Sequence, residues 1–302
     1  MENRVTAGSM NDITKGLMIT TIAVLLIVPD SLFVRLIDAD SLTISFWRLF
    51  LPGFALGAGL LLTRGIAPFA LVLGTGKLGL LYITGIGASG VLFVLAVSLT
   101  SVANVVFIIA SLPVFAALYS RVFLAERIGP RMLLTMGAVI VGLGIIAYGS
   151  GDAEDTSLLG DVLALGVSAF FAAALTAARC VKHISMVPGV AMGYGGAALL
   201  LLPFADPLSV PPAQTGLVLL YGLFILGSSI LLAIGPRYIK SAEVGLLVLL
   251  ESALAPLLAW GVIGETVRPL TLIGGGVVIG ALFVYNFVAL VRAKNPHSRP
   301  VG

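Results

Sequence analysis

The chain has 302 residues, 59% hydrophobic and only 10% charged, with a mean hydropathy of +1.13 and a formal net charge of +3. A soluble domain carries about 25% charged residues, so a soluble fold of this size is excluded for want of polar groups to cover its surface. A bilayer removes that need, but every backbone N–H and C=O must then be paired within the protein, which leaves helices or closed barrels.

The apolar runs are about 20 residues long without period-two alternation, so an all-α, polytopic membrane fold is expected. Ten spans are read in chain order. The first, 13–37, carries Pro29 and Asp30, and the second, 42–63, carries Phe46-Trp47-Arg48 and Pro52. The third and fourth cover 77–98 and 102–123, the latter with Pro113; a Gly-rich fifth covers 130–149. The sixth to eighth cover 159–181, 187–204 and 214–235. The ninth, 242–262, holds Glu251 and Pro256, and the tenth covers 269–291. The connections are short, so 1–302 is expected to form one transmembrane domain. The first apolar run is too long for a cleaved signal peptide.

With the N-terminus placed in the cytoplasm, the inner loops and ends gather 14 basic residues, while the outer side holds only Arg35 and Arg268. Positive charge favours the cytoplasmic side, so both termini are expected inside. Asp152, Glu154, Asp155 and Asp161 cluster around an outer loop. The basic pI is thus a mark of topology, and no nucleic-acid partner is expected. Cys180 is the only cysteine, and His183 and His297 lack metal-ligand spacing, so neither a disulfide nor a metal site is expected. Three Gly-x-Gly-x-x-Gly-like stretches, beginning at Gly74, Gly85 and Gly142, fall outside any strand–helix junction. No cofactor is expected.

Two segments of the chain resemble one another. Ser101–Tyr148 reads as a span with Leu112-Pro113, then Leu124-Ala125-Glu126-Arg127, then a Gly-rich span. Ser241–Tyr285 reads as a span with Ala255-Pro256, then Ile263-Gly264-Glu265-Thr266, then another Gly-rich span. Five spans separate equivalent helices. Because five is odd, the two repeats, about 13–149 and 159–291, must face opposite ways across the membrane. Inverted repeats suit secondary transporters, whose halves exchange conformations around a midplane site.

The motif from Pro113-x-Phe115 through Leu124-Ala125-Glu126-Arg127 to Gly137 and Gly142 resembles the EamA repeat of the drug/metabolite transporter superfamily. Its second copy runs from Ala255-Pro256 through Gly264-Glu265-Thr266 to Gly276 and Gly280, and Phe46-Trp47-Arg48 resembles the family's early repeat. The resemblance covers the whole chain and implies ten helices in two inverted five-helix repeats. Within the family the chain is most similar to YddG-type exporters of aromatic amino acids.

A charge inside lipid costs roughly 2.5–3.5 kcal/mol or more and needs a partner or a purpose. Asp30 and Arg48 sit at similar depth on consecutive spans. They could form a structural clamp, an outer gate or an anchor for a zwitterion. Glu251, near mid-span, has no basic partner evident in the sequence. It could donate a hydrogen bond as a neutral acid, exchange a proton for substrate, or accept a substrate ammonium. Glu126 and Glu265 are expected to pair with nearby Arg127, Arg131 or Arg268, or to cap the next helix. Pro29, Pro52, Pro113 and Pro256 are expected to kink their spans and could act as hinges. Gly53-x-x-x-Gly57 and Gly276-x-x-x-Gly280 are expected to allow close helix approach. By depth, the residues expected to line a pocket are Trp47, Tyr82, Ser89, Asn104, Phe107, Ser111, Tyr119, Phe171, Tyr194 and Ser228, with Thr176, Ser229 and Glu251 beside them. Tyr148, Tyr221 and Trp260 are read as interface anchors.

The leading expectation is an exporter of small metabolites, amino acids with aromatic or bulky side chains foremost. Drugs and other metabolites are alternative cargoes, and an intramembrane enzyme or a channel are the alternatives in kind. Ten spans can enclose a cavity within one chain, so a monomer is expected, and the short loops suit a bacterial inner membrane.

Overall fold

The structure, a computed structural model, describes residues 10–123, 128–151, 157–181, 183–234 and 241–294. Among the described residues there are thirteen α-helices, one 3-10 turn and no strand. They are α1 (Met10–Ile27), α2 (Asp30–Leu36), α3 (Ser41–Arg64), α4 (Ala67–Leu73), α5 (Lys77–Leu99), α6 (Val102–Ile109) and α7 (Leu112–Phe123). There follow α8 (Pro130–Gly151), α9 (Leu158–Cys180), α10 (Val187–Leu201), α11 (Thr215–Ile234), α12 (Ser241–Ile263) and α13 (Pro269–Lys294). Among these residues, seven helices or helix pairs are long and apolar enough to cross a membrane, and Val187–Leu201, Leu250–Ile263 and Pro269–Tyr285 are shorter apolar helices. The short α4 lies where the sequence reads as loop. The motif Leu124–Arg127, with Glu126, and the acidic Asp152, Glu154 and Asp155 lie outside the described residues.

The helices begin and end where local chemistry dictates. Asp40 accepts the amides of Leu42 and Thr43 at 2.9 and 3.0 Å and caps α3, which stops at Gly65 with φ +66°. Burial works to raise the Asp40 pKa, but hydrogen bonds from Thr43 and Leu42 outweigh it and hold the carboxyl below its ordinary value. A depressed pKa gives stability that is present above the unfolded carboxylate value and lost as pH falls through the folded one. Asp40→Ala is expected to cost about 1 kcal/mol at pH 7, and the deficit relative to wild type should narrow as pH falls through the folded pKa, read by thermal unfolding from pH 7 into acid.

Prolines break two spans. Pro29 stands between α1 and α2, and Pro113 just after the break between α6 and α7. Pro113 has no N–H to give the carbonyl of Ile109, four residues back. The Ser168 hydroxyl of α9 reaches that oxygen at 3.4 Å and the Ile108 oxygen at 3.3 Å. Pro52 and Pro256 lie inside continuous helices.

The bundle is assembled from helix pairs that join the two halves: α3 with α10, α5 with α9, α8 with α13, and α1 with α11. Glycine permits the closest crossings. A Cβ on Gly53 would meet the Gly195 amide at 2.6 Å, and Gly57 faces Ala191, so α3 and α10 run antiparallel. Gly142 faces Gly274 and Val278 while Gly149 faces Leu270, so α8 and α13 are also antiparallel. Each of these pairs joins equivalent helices of the two repeats, and antiparallel equivalents are what inverted halves produce. The Gly276 and Gly280 expectation is corrected: a Cβ on either meets nothing within 4 Å. Two residues of helical rotation separate Gly276 from Gly274, which carries the contact instead. Gly142→Ala would overpack and is expected to cost about 1–3 kcal/mol, whereas Gly276→Ala should be neutral or stabilising; thermal unfolding of the two variants in detergent decides.

The outer surface is apolar. Leu62, Leu134 and Leu200 are each more than 75% exposed, while Asp30, Arg48, Asn104 and Asp161 are buried. Apolar outside and polar within is the arrangement a lipid solvent selects.

Candidate functional site

The central cluster is built at the junction of the two halves. The break at Pro29 starts a new helix at Asp30, which places this carboxylate in the first turn of α2, 2% exposed. Arg48 of α3 reaches it with two donors, Nε to Oδ1 at 3.0 Å and Nη2 to Oδ2 at 2.5 Å. Nη1 donates to the Gly90 carbonyl of α5 at 3.4 Å, and the Phe93 ring lies 4.9 Å from the guanidinium carbon. A side chain at Gly90 would crowd Arg48 Nη1, at 3.1 Å from an added Cβ. From the second half, the Tyr221 hydroxyl of α11 donates to Asp30 Oδ1 at 2.5 Å, and the Tyr221 ring stacks on Phe33 with centroids 5.0 Å apart. Tyr221 is fully buried. The interface-anchor reading of Tyr221 is therefore corrected. Depth along the span does not distinguish the two places, although Tyr221, Ile225 and Ser228 follow the one-face spacing of a helix, a signal that points the ring inward.

Glu251 of α12 is partly buried and makes no hydrogen bond or ion pair among the described residues. The Tyr194 hydroxyl of α10 accepts from Ser229 of α11 at 3.4 Å. The Asp30–Arg48–Tyr221 cluster thus lies where α2, α3 and α5 meet α11.

A second polar network lies at the face where α2, α5 and α12 end, called the far face. Arg35 donates to the Thr100 carbonyl at 2.9 Å and pairs with Glu265 at 3.4 Å. Glu265 accepts the Val102 amide at 2.6 Å and so caps α6. Asp161 of α9 accepts from Thr100 at 3.0 Å and Asn104 at 3.3 Å, and Thr271 of α13 donates to Asn104 at 2.7 Å. Gln214 and Asp206 tie the loops beside it to residues 36–43. The expectation that Glu265 serves a neighbour in its own repeat is corrected. It serves the opposite repeat instead, because the inverted halves bring the loop after α12 onto the start of α6.

The EamA-like transporter family model matches residues 14–148 and again residues 158–287. The chain belongs to the EamA-like transporter family. The family's two matches fall on the two halves whose junction holds the charged cluster. The chain is 26% identical over 187 residues to the "Uncharacterized transporter YdfC" of Bacillus subtilis (strain 168), across 59% of this chain and 60% of that protein's length. A crystal structure sharing 17% identity superposes with a TM-score of 0.63 over 92% of this chain and 98% of its own. That likeness concerns the fold.

Against the family's architecture, the remaining expected residues fall in several places. Tyr82 and Phe171 pack with Tyr194 in one apolar cluster around Val72 and Val190. Trp47 belongs to an aromatic row with Phe46 and Phe50, and its indole N–H donates to the Pro207 carbonyl at 3.2 Å. Asn104 belongs to the far-face network. Ser111 donates to Ser168 at 3.4 Å, beside the helix break. Ser89 and Thr176 donate to carbonyls of their own helices, the usual resort of a hydroxyl in a membrane helix. Tyr119 lies against Phe123. Ser228 is buried with no hydrogen-bond partner among the described residues, as is Thr20 of α1. Phe107 lines a groove of about 490 Å³ with Ser252, Pro256 and Trp260. Trp260 is 60% exposed there, so the groove opens toward lipid.

Proposed function

We propose that this chain is a secondary transporter that exports small metabolites, with amino acids bearing aromatic or bulky side chains as the leading class. The substrate would sit near the midplane, between the two halves, and the halves would rock to expose it alternately. The observation that carries this reading is the Asp30–Arg48–Tyr221 cluster. It joins both repeats through buried charges and a buried tyrosine hydroxyl. Charged groups retained at such a cost within a bundle mark a substrate path more often than a scaffold. The aromatic cluster of Tyr82, Phe171 and Tyr194 would offer a flat apolar wall. We read the far-face network as a closed end, with the substrate entering from the face where α1 begins. By the distribution of basic residues, we place that face in the cytoplasm of a bacterial inner membrane. Asp30 accepts from Arg48 and Tyr221, and no second carboxylate pairs with it among the described residues, so the arrangement does not favour acid–base catalysis.

The test is efflux of labelled phenylalanine and tryptophan from proteoliposomes. Saturable efflux, absent from protein-free vesicles and competed by unlabelled amino acid, is the expected result. Folded protein that moves neither would overturn the substrate class.

A further inference from the structure

The groove over Phe107 is polar at one end and apolar along its length. Ala253, Pro256, Leu257 and Trp260, at helical spacing, give it a wall from one face of α12. Leu272 of α13 lies opposite, and Phe107 of α6 forms the floor. Gly275 of α13 makes room for that floor, since a Cβ there would collide with the Phe107 ring. Both repeats therefore line the groove. Ser252 stands at the inner end, and its hydroxyl donates to the Val106 carbonyl of α6 at 3.2 Å. From Ser252 to Trp260 the groove runs about 12 Å along the helix axis, and Thr266 and Val267 complete it at the far face.

A cation stands at that outer end. Arg268 is exposed, and its chain neighbours Thr266, Val267 and Leu272 all line the groove. Its carbonyl accepts the Leu272 amide at 3.0 Å, which fixes it at the start of α13. The adjacent acid, Glu265, gives its oxygens to Val102 and Arg35. Among the described residues Arg268 has no ion-pair partner. Trp260, 60% exposed, sits near the same end, at the depth where an indole meets lipid headgroups. The lining holds no acid. An amino acid, with two charges and a short side chain, would find no group for its ammonium there. A phosphate with an apolar chain beneath it matches the groove along its whole length.

We infer that this groove is a specific site for an anionic phospholipid, with one acyl chain lying along α12 over Phe107 and the phosphate held by Arg268. Its volume of about 490 Å³ holds one chain, and the second stays in the bilayer. A zwitterionic headgroup carries its own cation and competes with Arg268 for the phosphate, so the site favours lipids of net negative charge.

Tryptophan fluorescence reads the site directly. The chain has two tryptophans, Trp47 and Trp260, so Trp47→Phe leaves Trp260 as the single reporter. The protein is reconstituted in phosphatidylcholine vesicles with graded fractions of chain-brominated phosphatidylglycerol or chain-brominated phosphatidylcholine, whose bromines quench an indole on contact. The affinity at Trp260 should be about fivefold higher for the anionic lipid, the worth of one basic residue at an anionic surface. Arg268→Gln should make the two lipids equal, and Arg268→Lys should keep the preference. Ala253→Phe fills the groove from an exposed position and leaves Arg268 in place, and it should also abolish the preference. Should Trp47→Phe fail to fold, the difference between wild type and Trp260→Phe gives the same reading. Equal quenching by the two lipids, or a preference that survives either Arg268→Gln or Ala253→Phe, would reduce Trp260 to ordinary contact with bulk lipid and overturn the inference. Relief of quenching by phenylalanine would make the groove a lateral entry for cargo and overturn it as well. Quenching is read without transport, so failure of the proposed substrate class would leave this site standing.

Discussion

Arg48→Met should make the protein unfold far more readily than wild type. It leaves Asp30 buried with only the Tyr221 hydroxyl for compensation. Removing one partner of a buried pair costs about 3–5 kcal/mol, because the remaining charge stays desolvated. Asp30→Leu should cost a similar amount by stranding the guanidinium. The pair together is different. Replacing both partners by apolar residues of similar volume is often neutral, so Asp30→Leu/Arg48→Met should regain most of the lost thermal stability. Transport separates the two roles left open for the pair. If it is part of the substrate path, the stable double variant stays inactive in vesicles. Normal efflux by the double variant would reduce the pair to a clamp.

Glu265→Ala should open the far face. The carboxylate caps the start of α6 and holds Arg35, and a charge-assisted hydrogen bond of this kind is worth about 1.5–3 kcal/mol. Its loss frees the Val102 amide and loosens the seam between the loop after α12 and the first half. Cys180 is the only cysteine, so a Cys180→Ser background gives a clean reporter. Thr271→Cys, at a site 3% exposed in this structure, should react slowly with a membrane-impermeant maleimide. Adding Glu265→Ala should speed that reaction about tenfold for each 1.4 kcal/mol of closure lost. Equal rates with and without Glu265 would show that the network does not govern access.

The architecture can be read from the sequence because lipid leaves so few options. Long apolar runs with sparse charge force helices, and the recurrence of Pro113 with Glu126 in Pro256 with Glu265 marks the two halves. The site is harder to see. Asp30 and Arg48 stand out because charges in apolar runs are conspicuous. Tyr221 does not, since a tyrosine near a span end suits the membrane interface as readily as a buried bond. The reach of Glu265 to Val102, 163 residues earlier, depends on how the halves cross, and no local pattern carries that. For glycines, a spacing of four locates Gly53 and Gly57 on a contact face, but only the rotation of α13 decides that Gly274, and not Gly276, meets its partner.

Counterflow tests the central claim most directly, that this junction carries a substrate alternately from one side to the other. Proteoliposomes preloaded with unlabelled tryptophan are diluted into a trace of labelled tryptophan. An alternately exposed site predicts a transient accumulation of label above its equilibrium level, abolished in Asp30→Leu/Arg48→Met. Entry of label without overshoot or saturation, as through a channel, would contradict the account.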